Sequence, residues 1–189
     1  MTILQIFDES GNAISDPINE ITDIQSTLTN NGVLFERWQA EQDLPAGAEQ
    51  EMVLSAYQAD ILKLSDKYKI SSTDVVSLTP DHPNKMEFRQ KFLAEHIHED
   101  FEIRFFVDGS GLFYLHIEDK VYLVLCEKGD LISVPANTTH WFDMGENPAF
   151  TCIRLFTTDN GWVANFTGDD IATRLPSMDT FVTSVMAEG

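Results

Sequence analysis

The chain has 189 residues, 43% of them apolar, with 31 acidic and 12 basic residues for a net charge of −19. That length suits one domain, and no apolar run reaches the 18 or more residues of a membrane-spanning helix. So acidic a surface repels nucleic acid and anionic membranes, so any anionic substrate needs local positive charge from a metal or an arginine. The N-terminal Met1–Asp8 stretch has no basic run of the secretory kind, and Cys126 and Cys152 have no zinc or redox spacing. Two buried, reduced thiols and a cytoplasmic location are the expectation, with a disulfide as the alternative.

In chain order, Thr2 to Phe7 alternates like a strand, Glu9 to Asn12 reads as a turn, and Ala13–Ile14 can return as a hairpin. Asp16–Pro17 has the form of a helix start, Ile18, Ile21 and Ile24 fall at helical spacing, and Asn30-Asn31-Gly32 ends the helix. Val33 to Trp38 reads as a strand. Val53, Tyr57, Ile61, Leu64 and Tyr68 form a helical stripe, so one helix is expected over 46–68. Asp74 to Leu78 is β-like, Pro80 to Pro83 breaks the chain, and Lys85 to Leu93 suits a short helix.

From residue 94 short β-rich runs follow one another, at about 101–107, 112–117, 120–126, 130–134, 139–143 and 149–156. Turn signals separate them, including Asp108-Gly-Ser-Gly111 and Glu127-Lys-Gly-Asp130. Such a pattern predicts an antiparallel sandwich or small barrel, so the fold class is mainly β with N-terminal helices. Asp169 to Arg174 reads as a short helix, and the tail after Met178 as loosely ordered.

His96, His98 and Glu102 lie close together, and His140 follows on a later strand. Strand side chains alternate faces, so His96, His98, Glu102 and Arg104 share one side. Asp100 has the same parity and remains a possible carboxylate ligand unless the chain bends near Glu99-Asp100. Phe142 shares the face of His140. Imidazoles with one carboxylate suit Fe, Ni or Zn, and four ligands on an octahedral ion leave two positions open. An isolated His-x-His is a weak signal. Here it is followed by Gly109 and by the block Gly129, Pro135, Asn137 and His140.

These two blocks resemble the paired motifs of the cupin superfamily, with Asn137 in place of a glycine and Met144 in place of an asparagine. The resemblance implies a double-stranded β-helix, a jelly-roll barrel with the metal inside. The run from His96 through Glu102-Ile-Arg104 to Phe113 resembles the acireductone dioxygenase family of methionine salvage. So do the run from Glu127 to Pro135, His140 to Asp143, Ile153 to Phe156, and Gly161-Trp162. The likeness is strong over about 90–170 and looser before it.

That family likeness implies one cupin domain over 1–189, with an α/β elaboration to about residue 90 and the barrel over about 91–170. It implies one Fe(II) or Ni(II) per chain on His96, His98, Glu102 and His140. The implied substrates are a small anionic enediol and O2, with no nucleic acid or membrane partner and a monomeric chain. With iron the products are a 2-keto acid and formate; with nickel they are a different carboxylic acid, formate and CO. Arg104 is the first choice for binding the anion and Arg154 the second. Phe142 and Trp162 are expected on the apolar pocket wall, and Phe92, Phe105 and Phe106 in the core. His82 is expected to be exposed, His116 to serve as a hydrogen-bonding residue, and Glu99-Asp100 to be a solvated turn. Another cupin enzyme, such as a different dioxygenase or a sugar-phosphate isomerase, or a cupin that binds without turnover, is the alternative. The Glu102-Ile-Arg104 step and Trp162 favour the dioxygenase.

Overall fold

The computed structural model describes residues 1–187. Its strands are β1 (Ile3–Asp8), β2 (Leu34–Arg37), β3 (Ser72–Leu78), β4 (His96–Ile97), β5 (Glu102–Ile117), β6 (Lys120–Glu127), β7 (Asp130–Val134), β8 (Thr139–Asp143), β9 (Phe150–Phe156) and β10 (Asn165–Phe166). The helices are α1 (Ile21–Thr29), α2 (Gln50–Ala56), α3 (Gln58–Tyr68), α4 (Lys85–Leu93) and α5 (Met178–Ala187).

All strand pairs are antiparallel. One sheet runs β1-β6-β5-β8-β4-β10 and the other β2-β7-β5-β9-β3, with the long β5 shared between them. The sequence reading divides β5 at Asp108–Gly111, but it is one strand that bends there. Gly109 sits at φ +67, and the register against β9 slips between Phe106 and Asp108. A bulge of this kind changes which parity faces inward. Before it Phe106 is interior, while Ile103, Phe105 and Val107 pack under α2 and α3. After it Phe113 and Leu115 are interior, while Leu112 and Tyr114 pack under α5. One strand thereby turns side chains to the interior between the sheets on both sides of its bend. This is the jelly-roll expected from the cupin motifs.

The N-terminal segments complete both sheets: β1 adds to β6, β2 to β7 and β3 to β9. Four expectations are corrected. Asp16–Pro17 does not start a helix, because Ile18 exchanges backbone hydrogen bonds with Leu4 at 2.7 and 2.8 Å and the helix begins at Ile21. The 46–68 stripe is two helices, broken at Tyr57, whose buried ring meets Phe105 edge-on at 5.6 Å. Asp169 to Arg174 holds only a 3-10 turn over Ile171–Thr173. The segment after Met178 is helix α5, anchored by the fully buried Phe181 against Phe7; residues 188 and 189 lie outside the described residues. No helix among the described residues is long and apolar enough to cross a membrane.

Candidate metal centre

His96 on β4 pairs directly with His140 on β8, and their rings lie 4.5 Å apart. His98 follows at the end of β4, its ring 5.0 Å from His96 and 5.3 Å from His140. One ring nitrogen from each of the three falls within 4.8 Å of the others, and all three residues are buried. Their tautomer is set by the backbone. The Nδ1 of His96 faces the Ala94 carbonyl at 2.7 Å, that of His98 the Val163 carbonyl at 2.8 Å, and that of His140 the Thr138 carbonyl at 2.7 Å. A carbonyl only accepts, so each Nδ1–H donates and each Nε2 keeps its lone pair. Three buried lone pairs converging on one point are a site for a cation, and backbone-oriented imidazoles are typical of metal ligands.

Glu102, at the start of β5, stands beside this cluster. Its Oε2 lies 3.2 Å from His140 Nε2 and 3.9 Å from His98 Nε2. With both Nδ1 atoms already protonated, these are contacts between groups able to share a cation. Burial opposes ionisation of Glu102, but Arg104 and the histidines outweigh it and hold the carboxyl well below its usual range. Burial, then the neighbouring His140, pushes His96 down to about 4, and burial also lowers His98. Neutral imidazoles and an ionised carboxylate are the protonation states a metal needs.

Arg104 neighbours Arg154 across β5 and β9, and Arg154 neighbours Asp74 on β3, so the three form one row. Arg104 Nη2 lies 2.9 Å from Glu102 Oε1, and its guanidinium lies over Phe142 at 4.8 Å and Phe113 at 5.0 Å. Its Nη1 is buried without a protein partner. Arg154 is held by Asp74 through Nε and Nη2, at 2.8 and 2.6 Å.

A cavity of about 530 Å3 opens on His96 and His98, and its lining is mainly apolar. Arg104, Arg154 and Trp162 line it, together with Val76 and Leu78 of β3 and Phe92 of α4. Trp162 remains 54% exposed at the mouth. Phe142 is fully buried beneath Arg104 and is not among the residues lining the cavity wall. His82, expected on the surface, lines the cavity and packs edge-on against Phe88. His116 bridges Glu95 and Glu9 at 2.9 and 3.0 Å, a hydrogen-bonding role as expected. Phe105 and Phe106 are core; Cys126 and Cys152 are buried and free.

Asp100 corrects the reading of Glu99-Asp100 as a solvated turn. It is buried and accepts hydrogen bonds from the amides of Phe101, Thr157 and Thr158 and from both threonine hydroxyls. Burial opposes its ionisation, but these donors prevail and lower its pKa. The chain bends at Glu99 and Asp100, which turns this carboxylate towards the end of β9 and leaves Glu102 beside the histidines. Gly161 is small for a related reason, since a Cβ there would lie 2.5 Å from Asp100 Oδ2. Neither the threonine partners of Asp100 nor the β3 wall carries a local signal, because both depend on contacts more than 50 residues apart.

A jelly-roll barrel with inward histidines, a carboxylate and an arginine over an enclosed cavity places the molecule among the cupins with a metal-capable site. The particular family follows from comparison with known proteins. The model of the ARD/ARD′ family matches residues 3–164. The acireductone dioxygenase of Methylococcus capsulatus is 53% identical over 182 residues, covering 96% of this chain and 98% of that protein. That of Aquifex aeolicus is 54% identical over 182 residues, covering 96% and 99%. The solved acireductone dioxygenase of Bacillus anthracis, described with a cadmium ion in its active centre, superposes with a TM-score of 0.78 at 30% identity, covering 88% of this chain and 98% of that one. The chain belongs to the ARD/ARD′ family.

Proposed function

We propose that the chain is a metal-dependent acireductone dioxygenase, oxidising an anionic enediol with O2 in methionine salvage. The observation that carries this reading is the convergence of three tautomer-fixed Nε2 atoms beside Glu102, under a guanidinium with one unused donor. His96, His98, Glu102 and His140 are the proposed ligands, and the proposed ion is one Fe(II) or Ni(II). A bound divalent ion supplies Lewis acidity and a template for two adjacent oxygens. The chain's own residues supply the rest. Arg104 Nη1 is the donor for an enediolate oxygen; the ion pair with Glu102 and the rings of Phe113 and Phe142 packed on the guanidinium fix its direction. Arg154, oriented by Asp74, is the second donor. Val76, Leu78 and Phe92 take the apolar tail and exclude water, while Trp162 covers the mouth. Phe142 serves by backing Arg104. The N-terminal strands and the barrel act as one unit, as a monomer in the cytoplasm.

The test loads the chain separately with Fe(II) and Ni(II), mixes it anaerobically with a synthetic acireductone, and then admits O2. Oxygen-dependent loss of the enediol absorbance is expected with both metals. Formate should form in each case, with a 2-keto acid from the iron form and CO from the nickel form only. No loss above the rate without protein refutes the reading. In His140→Ala, metal affinity should fall by at least about 100-fold, read by equilibrium dialysis; retained stoichiometry and activity would remove His140 from the ligand set.

A further inference from the structure

The deep cations of the cavity are already paired. Among the chain's own charges, Arg104 is matched by Glu102 at 2.9 Å and Arg154 by Asp74 at 2.6 Å, so neither pair adds net charge to whatever a bound ion supplies. The Nδ1 atoms of the lining His96 and His98 are taken up by the backbone carbonyls of Ala94 and Val163. An anion approaching this mouth meets the field of a chain with net charge −19. Among the described residues lining the cavity there is one further fixed cation, Lys91. It stands in the last turn of α4, is exposed, and shares the cavity-facing side of the helix with Phe88 and Phe92. It makes no ion pair among the described residues; even Glu87, one turn earlier on α4, does not pair with it.

We infer that Lys91 is a capture residue for the anionic substrate, drawing the enediolate into the mouth before it reaches the paired guanidinium groups. This rests on the function proposed above. A single ammonium group suits the task because it is a mobile, strongly hydrated point charge that can release the substrate inward. Its influence is local, since screening confines it to about 8 Å at physiological ionic strength. At that range in water, one unit charge changes the local concentration of a monoanion by roughly two- to three-fold at low salt. Lys91 therefore governs association.

The test is anaerobic stopped-flow mixing of the metal-loaded chain with synthetic acireductone, from low to high ionic strength. Lys91→Gln should lower the association rate constant by roughly two- to three-fold at low salt, and Lys91→Glu by roughly six-fold, both converging on the wild type at high salt. Lys91→Arg should restore the wild-type rate. Lys63→Gln, on the distant α3, makes the same change in net charge and should behave as wild type. Equal rates for wild type and Lys91→Gln at low salt overturn the inference, as does an equal loss in Lys63→Gln. Wild-type association without subsequent O2 consumption overturns the dioxygenase reading alone. No association in the wild type overturns both.

Discussion

Arg104 holds an unusual position for a charged side chain. It is almost fully buried, its charge is matched by Glu102 alone, and its plane is packed by phenylalanine rings. Removing one partner of a buried pair leaves the other charge uncompensated. Arg104→Met should therefore lower unfolding free energy by about 3–5 kcal/mol in urea titration of the metal-free protein. Arg104→Lys keeps the charge but loses the planar fork, so it should retain most of the stability while kcat/KM falls at least about 10-fold. Equal loss of activity and stability in both variants would reduce Arg104 to a structural role. Room for the ring beneath this guanidinium is made by Gly111, where a Cβ would lie 2.2 Å from the Phe142 ring.

Among the elements, β5 does the most to build the site. Its first half carries Glu102 and Arg104 in one sheet; its second half carries Phe113 in the other, and the bend between them lets both face one interior. Gly109 makes that bend possible. Its φ of +67 disfavours other residues, and a Cβ would lie 1.8 Å from the Ala149 carbonyl oxygen. Gly109→Ala should cost at least about 3 kcal/mol, because strain at positive φ adds to backbone overlap that no rotamer relieves. Gly168→Ala is the comparison: φ is +79 there, but nothing lies within 4 Å of the added carbon. It should cost only about 1 kcal/mol. Similar midpoints for the two variants in denaturant would show that the close approach at Ala149 is unimportant.

At the scale of the whole molecule, one buried carboxylate joins the strand that carries His140, the cavity wall and the C-terminal helix. Asp143 of β8 accepts a fork from Arg89 of α4 at 2.7 and 2.9 Å and the Met178 amide of α5 at 2.9 Å. Arg89 also reaches Asp179 at 3.1 Å. Burial pushes the Asp143 carboxyl up, but the Arg89 fork and the backbone amides outweigh it, so its folded pKa lies below the ordinary 3.8. Stability from this group is thus present above 3.8 and is lost as pH falls below it, through the folded value. Asp143→Asn should lower stability at neutral pH by about 3 kcal/mol and flatten the acid limb of the stability curve. An unchanged acid limb, followed by circular dichroism, would contradict the linkage.

The local sequence was sufficient to single out the candidate ligands. Alternation in β4 and β5, and the spacing of Gly129, Pro135 and His140, place imidazoles and a carboxylate on inward faces of short strands. Asn137, standing for a glycine, does adopt the left-handed region at φ 62. These features depend on near neighbours and on the two-residue period of a strand. What only the tertiary structure decided depends on distant partners. Ile18 joined Leu4 because the edge of β1 offered unpaired backbone groups, and this displaced the helix start. The residues after Met178 became α5 because Phe181 found an apolar bed beside Phe7. Asp100 shares the parity of the ligands, but a bend and five donors from distant or adjacent residues directed it to β9, leaving Glu102 beside the histidines. Periodicity specifies which face a side chain occupies; hydrogen bonds made across the fold decide which of two carboxylates of like parity stands beside the histidines.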